Sequence, residues 1–423
     1  MARGRPVLSV HIEADAPADP IHTGGGASVS PWVFAPLFAP FGISSGYVTV
    51  TLGFLLSRAG LSTALIATLI ALSVWPQTVK MLWAPFVDTI GNPKVWYAVG
   101  TFTVGLSILA MSVLPKTQAE VPLYIALIVG SSVTSTFVSM ATEIFMVNFV
   151  PPETRGRASG WSQAGNLGGA GIGGGIGLLV AENFTQPWVS GALLAAICIA
   201  CWGATLLLPK LERTASAARN YFAELKEVAV NVWGVAKSRP GYLALIIMLL
   251  PIGSGGVPWS AIAGEWNAGA NTVALVNGVS GGIASIVGAM AAGFICDRMD
   301  LKRAYSMYGI FVGLVAVAMI ALPRTPLVFT VGVLAYSAMV GMAYTGYAAI
   351  VLEAIGKKSA ATNWNLMAAL SNIPIAMMSM IDGQIHDSFG TNAMLAGELA
   401  FPAIALVLFW TFVGATRPKR AAA

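Results

Sequence analysis

A chain of 423 residues that is 56% hydrophobic and only 10% charged cannot cover a water-facing surface, because soluble domains carry about 25% charged residues. The composition excludes a soluble enzyme, and 46 glycines without a three-residue period exclude collagen. The net charge of +5 is spread among short polar segments, so its placement says more than its sum.

In lipid, backbone polar groups must be satisfied within the chain, so an all-α membrane protein is expected. At about 20 apolar residues per span, the length suits twelve transmembrane helices. Residues 1–30 are polar and read as a disordered cytoplasmic tail. Apolar runs then predict spans at 31–56, 62–86, 95–114, 123–148, 158–180 and 188–208, a first six-helix half over 31–208. Residues 209–240 form a linker in which Tyr221, Leu225, Val228, Val232 and Val235 recur at helical spacing, predicting an amphipathic helix along the membrane surface. The pattern resumes at 241–263, 272–296, 304–322, 327–352, 361–382 and 393–414, a second half over 241–414, followed by a tail at 415–423.

An even number of spans puts both termini on one side. With that side cytoplasmic, 19 of the 23 Lys and Arg lie inside, while Arg58, Lys116 and Arg324 lie outside and Lys80 lies within a span. This bias fits an inner-membrane protein with cytoplasmic termini. The halves also echo each other: MLWAPFVDTIGNPK after the second span is answered by AGFICDRMDLKRAY after the eighth, and RGRASGWSQAGNLGG by KKSAATNWNLMAALS.

Ionisable groups inside spans are costly and are functional candidates by default. Lys80 lies about two turns on the membrane side of Asp88; it either snorkels to the headgroups or pairs with Glu143 or an anionic solute. A Lys80–Glu143 pair would couple proton release to solute binding. Asp382 and His386, four residues apart, share a helix face near the outer end and suggest a proton relay. Glu265, Glu353 and Glu398 lie nearer span ends or outside the membrane and rank second. Tyr47, Gln163, Asn166, Trp259, Asn277, Tyr344, Tyr347, Asn365 and Asn372 offer hydrogen bonds or rings to a solute.

The fifth span carries Gly165, Gly169, Gly173 and Gly177 at four-residue intervals, a bare face suited to tight helix crossing. The seventh contains Pro251, Gly253, Gly255, Gly256 and Pro258; it cannot run straight, and Pro251, Gly255 and Pro258 mark a gate. Cys198 and Cys201 sit in an apolar run, which argues against redox chemistry. No zinc motif, Walker loop or catalytic triad is present, so neither a cofactor nor a metal is expected, and the dispersed basic residues point away from nucleic acid.

GFICDRMDLKR, Gly293 to Arg303, resembles the G-x-x-x-D-R-x-x-x-K-R signature of the major facilitator superfamily. Its fold is two six-helix halves related by an axis along the membrane normal. The resemblance implies a conformational latch at Gly293, Asp297, Arg298, Lys302 and Arg303, with a weaker copy at Asp88. Here Gly293 would let helices approach and Asp297 would take the free N–H groups of a helix start. Ser44, Ser45 and Gly46, then Arg58 to Ser62, then Lys80 to Asp88 with LWAP, resemble the opening of AmpG-type muropeptide permeases and the related acetyl-CoA transporters. Those permeases carry charges near the end of the fourth helix, where this chain keeps Glu143 but has Met146 and Asn148, so the resemblance points to the wider clan rather than to one solute.

The expected function is that of a monomeric secondary transporter in the bacterial inner membrane. It would import an organic solute, muropeptide-like, siderophore-like or otherwise amphipathic or anionic, together with protons. An exporter of toxic compounds and a non-transporting receptor or assembly factor on the same fold stay open as alternatives.

Overall fold

Apolar runs and small polar caps decide where the helices begin. Ser62 accepts from the Leu65 amide, Asn92 from Lys94, Ser238 from Gly241 and Asp300 from Arg303, each satisfying a donor that the first turn leaves free. A computed structural model describes residues 29–84, 87, 92–151, 154–209, 226, 230, 233–234, 236–355 and 367–416. Its elements are all helical. Among the described residues, ten helices are long and apolar enough to cross a membrane. They are Pro31–Arg58, Thr63–Leu82, Pro93–Val113, Gln118–Phe149, Arg157–Asn183, Trp188–Leu207, Ala270–Cys296, Leu301–Ala321, Pro326–Val351 and Thr391–Ala415. They fall on ten of the twelve runs expected from the sequence.

The remaining two runs differ for physical reasons. The seventh is helical over Arg239–Leu249, loses helix at 250–258 and resumes over Trp259–Ile262. Gly253 and Gly255 take φ of +64° and +70°, a left-handed backbone that no proline and few side chains tolerate. The eleventh is helical over Asn372–Phe389, with Asp382 in its middle lowering its apolarity, and its opening at 361–366 lies outside the described residues. So do Asp88, Asn365, most of the linker and both tails.

In the first bundle the fifth span lies directly on the first. A Cβ at Gly165, Gly169 or Gly173 would come within 2.1, 2.2 and 2.2 Å of the carbonyl oxygens of Ala35, Ala39 and Ile43. Such contact is open only to glycine and draws on van der Waals packing, since lipid leaves no hydrophobic driving force between helices. In the second bundle the eighth and tenth spans meet likewise, Gly288 on the Ala338 carbonyl and Gly341 on that of Ser285. Where the bundles face each other, wide π-helical turns at Tyr47–Leu52, Ile172–Ile176 and Ala274–Ser280 lie against one another.

Candidate functional site

The bundles are sealed together at the end away from the termini. Val50, Phe54 and Leu178 of the first bundle share one apolar core with Trp259, Trp266, Phe329 and Met394 of the second. Hydrogen bonds cross the same seam: Ser57 Oγ donates to the Ala261 carbonyl, Ser260 Oγ to the Thr49 carbonyl at 2.5 Å, and the Ala64 amide to Asp387 Oδ2 at 3.0 Å. Gly383 makes the eleventh span's approach to the second possible, because a Cβ there would lie 2.5 Å from that of Ala67.

An ionic cluster braces this end. Glu265, in the turn after the seventh span, pairs with Arg324 and with His386 Nε2 at 2.8 Å, and accepts from Thr391 Oγ1. Arg324 also donates to Asn392 Oδ1 at 2.9 Å and lies over the Trp266 ring, 5.0 Å from its centroid. His386 Nδ1 is 3.1 Å from Asp387 Oδ1. Burial alone would raise the Asp387 carboxyl, but hydrogen bonds from His386, the Ala64 amide and Ser62 outweigh it and hold the group below the usual carboxylate range.

The Asp382–His386 relay is not what the fold assembles. Asp382 and His386 share a helix, but one turn apart they meet different neighbours, and His386 is held by Glu265 and Asp387. Asp382 is 0% exposed and turns to Glu398, which is 4% exposed, and to Tyr336, whose hydroxyl donates to Glu398 Oε2. Neither Asp382 oxygen, nor Glu398 Oε1, has a well-formed hydrogen bond among the described residues. Glu398 and Glu265, which the sequence places near span ends or outside the membrane, are each drawn by the fold into one of these clusters. The signal for Glu398 was present, a carboxyl inside the run LAGELAFPAIAL, but the twelfth helix begins at Thr391, which sets Glu398 deeper than a start at 393 implies.

On the terminus side, the regular helix of the second span ends at Val79 and a 3₁₀ turn, Lys80–Leu82, follows. Trp83 anchors it by donating from Nε1 to Thr136 Oγ1 at 2.9 Å. The turn presents Lys80 to the fourth span, Nζ 3.6 Å from Glu143 Oε1, with the side chains 21% and 36% exposed. Gln163 is exposed and Asn166 half-buried on the fifth span, and Tyr344 is 59% exposed on the tenth. Tyr347 is buried and donates to the Met367 carbonyl at 2.6 Å; Asn372 Nδ2 donates to Ala368 one turn back. These two serve neighbouring backbone.

Three candidates lie apart from that group. Tyr47, buried and with its hydroxyl unpartnered among the described residues, borders an open cavity of about 200 Å³ at the end of the first bundle with Thr51, Ser112, Lys116 and Ser190. Trp259 packs edge-on to Tyr336, centroids 5.1 Å apart, with Nε1 unpartnered. Asn277 sits in the π-turn of the eighth span, its buried Oδ1 unpartnered. Of the expected gate, Pro251 and Gly255 lie in the non-helical stretch and Pro258 ends it.

The GFICDRMDLKR loop also differs in detail. Among the described residues a Cβ at Gly293 would meet nothing within 4 Å, so none of the described helices packs on it. Asp300, not Asp297, caps the ninth span, because the helix starts at Leu301 and only a residue immediately before it can reach the free amides. Asp297 instead closes the eighth span through its amide, Arg298 reaches back to the Phe294 carbonyl at 3.4 Å, and Lys302 pairs with Glu353 at 3.4 Å. Arg303 contributes the capped amide.

A family model, the Major Facilitator Superfamily, matches residues 32–257. The chain belongs to that superfamily. It is 24% identical over 343 residues to the anhydromuropeptide permease of Escherichia coli K12, covering 78% of this chain and 69% of the relative. Among solved structures it is similar to the nucleoside transporter NupG, with a TM-score of 0.66 at 14% identity over 92% of this chain and 99% of that one. A D-xylose-proton symporter gives 0.65 at 14% identity over 90% and 96%. Membership in this superfamily makes the protein a multi-pass membrane transporter of small solutes and not an enzyme.

Proposed function

We propose that the protein imports an organic solute bearing an anionic group, muropeptide-like or siderophore-like, across the bacterial inner membrane in symport with protons, by alternating access. The observation that carries this reading is the asymmetry of the two ends. The outer end is closed by an apolar core and bonds across the seam, while the part-exposed Lys80–Glu143 pair lies toward the terminus side with Gln163 and Tyr344. This asymmetry supports an inward-facing state with cytoplasmic termini. A charge pair at that depth is tolerated where it meets water, and at 3.6 Å it is loose enough for a carboxylate of the solute to displace Glu143 from Lys80. The 24% identity to an anhydromuropeptide permease favours that solute class.

Proteoliposomes offered labelled anhydromuropeptide, siderophore and acyl-CoA, with and without an imposed proton gradient, test the reading. Gradient-stimulated uptake of one of them is expected. Lys80→Ala should raise KM about tenfold, corresponding to ~1.4 kcal/mol, and Lys80→Arg should recover much of it. Gradient-driven efflux of toxic cations with no uptake of any anion would establish the exporter instead.

A further inference from the structure

Two acidic side chains are buried in the second bundle with no cation beside them among the described residues. Asp382 on the eleventh span and Glu398 on the twelfth are 0% and 4% exposed. What faces them comes from the second, seventh, ninth and tenth spans, and the ninth brings Gly313 against the Glu398 carbonyl. The tenth span brings Tyr336, whose hydroxyl donates to Glu398 Oε2. The seventh span brings its non-helical stretch, where a Cβ at Gly256 would lie 2.6 Å from Asp382 Oδ2, and Trp259 against the Tyr336 ring. The second span brings Thr63, Ala64 and Ala67 against Gly383, with no charge among them. The nearest charged groups along the eleventh span, His386 and Asp387, are committed to Glu265 and to the Ala64 amide.

Removing two neighbouring carboxylates from water, with no cation and with no donor to three of their four oxygens among the described residues, is prohibitive; as acids that share a proton they can be buried. The seam adds to this burial from one side, because Asp382 precedes the glycine that packs on the second span, while its other neighbours, the broken stretch of the seventh span among them, belong to its own bundle. Opening the seam removes that one cover.

We propose that Asp382 and Glu398, with Tyr336, form the proton-carrying site of the transporter, and that the outer seam closes only after this pair has taken up a proton from the outer aqueous phase. The proton forms an O–H bond on one carboxyl oxygen, is shared within the triad while the seam is shut, and is released to the cytoplasmic phase, leaving the carboxylate behind, before the seam reopens. The role rests on the transport reading above; the occupancy of the pair by a proton does not. It also separates the tasks: Lys80 and Glu143 in the first bundle meet the solute, and the acid pair in the second carries the ion.

Infrared difference spectroscopy on the purified full-length protein at neutral pH tests occupancy without any solute. A protonated-carboxyl C=O stretch is expected in the wild type, and its loss or reduction in Asp382→Asn or Glu398→Gln. A wild type lacking that band, or a band unchanged in both variants, overturns the proposal. Should neither acid variant fold, Tyr336→Phe keeps both carboxyls and removes the hydrogen bond to Glu398; a shifted band upholds the assignment and an unshifted one overturns it. The coupling role is read in proteoliposomes with labelled anhydromuropeptide. Asp382→Asn is expected to lose accumulation driven by a proton gradient and to retain exchange between equal pools. Gradient-driven accumulation equal to wild type would overturn the role, even with the band assigned; a wild type that moves no anhydromuropeptide would count against the transport reading and leave the band to decide occupancy.

Discussion

The contact between the first and fifth spans and its repeat counterpart, between the seventh and eleventh, occupy equivalent places in the two halves and are built in opposite ways. In the first bundle, glycines at 165, 169 and 173 set one helix against the carbonyls of another, and the ion pair that joins the two helices, Arg58 with Glu182, lies beyond that contact at the end of both. In the second, one partner has lost its helix over 250–258 and the other presents a buried aspartate to the break. We read the first as the stiff part and the second as the part that the proposed proton site would drive, in the way switching proteins turn a small local change into a rigid-body movement.

The sharpest way to break the comparison is to overfill the stiff contact. Gly169→Leu must push against the Ala39 backbone, which cannot swing aside as a side chain would, so a loss of about 3 kcal/mol is expected, seen as disappearance of monodisperse protein in detergent. If this variant folded and transported normally, the first bundle would not be the rigid partner. The second test loosens the brace of the responsive half. Glu265→Gln removes the charge that Arg324 and His386 share, and a destabilisation of roughly 2 kcal/mol should appear as a lower Tm.

A smaller effect is expected from pH. Asp387 is held below the usual carboxylate range when folded, so its contribution is complete above the unfolded carboxyl value, about 3.9, and is lost as pH falls through the lower folded value. Asp387→Asn should therefore cost about 1 kcal/mol at neutral pH and flatten the acid limb of the Tm profile. The smallest effect belongs to Gly293→Ala, which adds a methyl group to open space and should stay within about 0.5 kcal/mol. A large cost there would show that the loop is packed more tightly in another conformation.

The spans were legible because each carries its own hydropathy, and the tight face of the fifth because four glycines recur at the pitch of a helix. The break at 250–258 was legible for the same local reason, prolines and glycines crowded into one stretch. Groups that act across the fold were not. Tyr336 and Glu398 are 62 residues apart, and Glu265 and His386 are 121 apart, so no spacing announces either pair. Spacing misled where it was most inviting: four residues put Asp382 and His386 on one face, yet one turn of rise takes that face from the acid pair to the ionic brace. The same limit applies to capping at the ninth span, where Asp297 and Asp300 are both plausible until the helix start is known.

The wide turns at Tyr47–Leu52, Ile172–Ile176 and Ala274–Ser280 each hold a surplus residue within an otherwise regular rod. Such a surplus can travel along its rod as a ruck travels along a carpet, turning one end against the other by steps of roughly 100° while leaving few backbone bonds unmade. Three rods carry their rucks at one level, touching, where the two halves of the molecule meet.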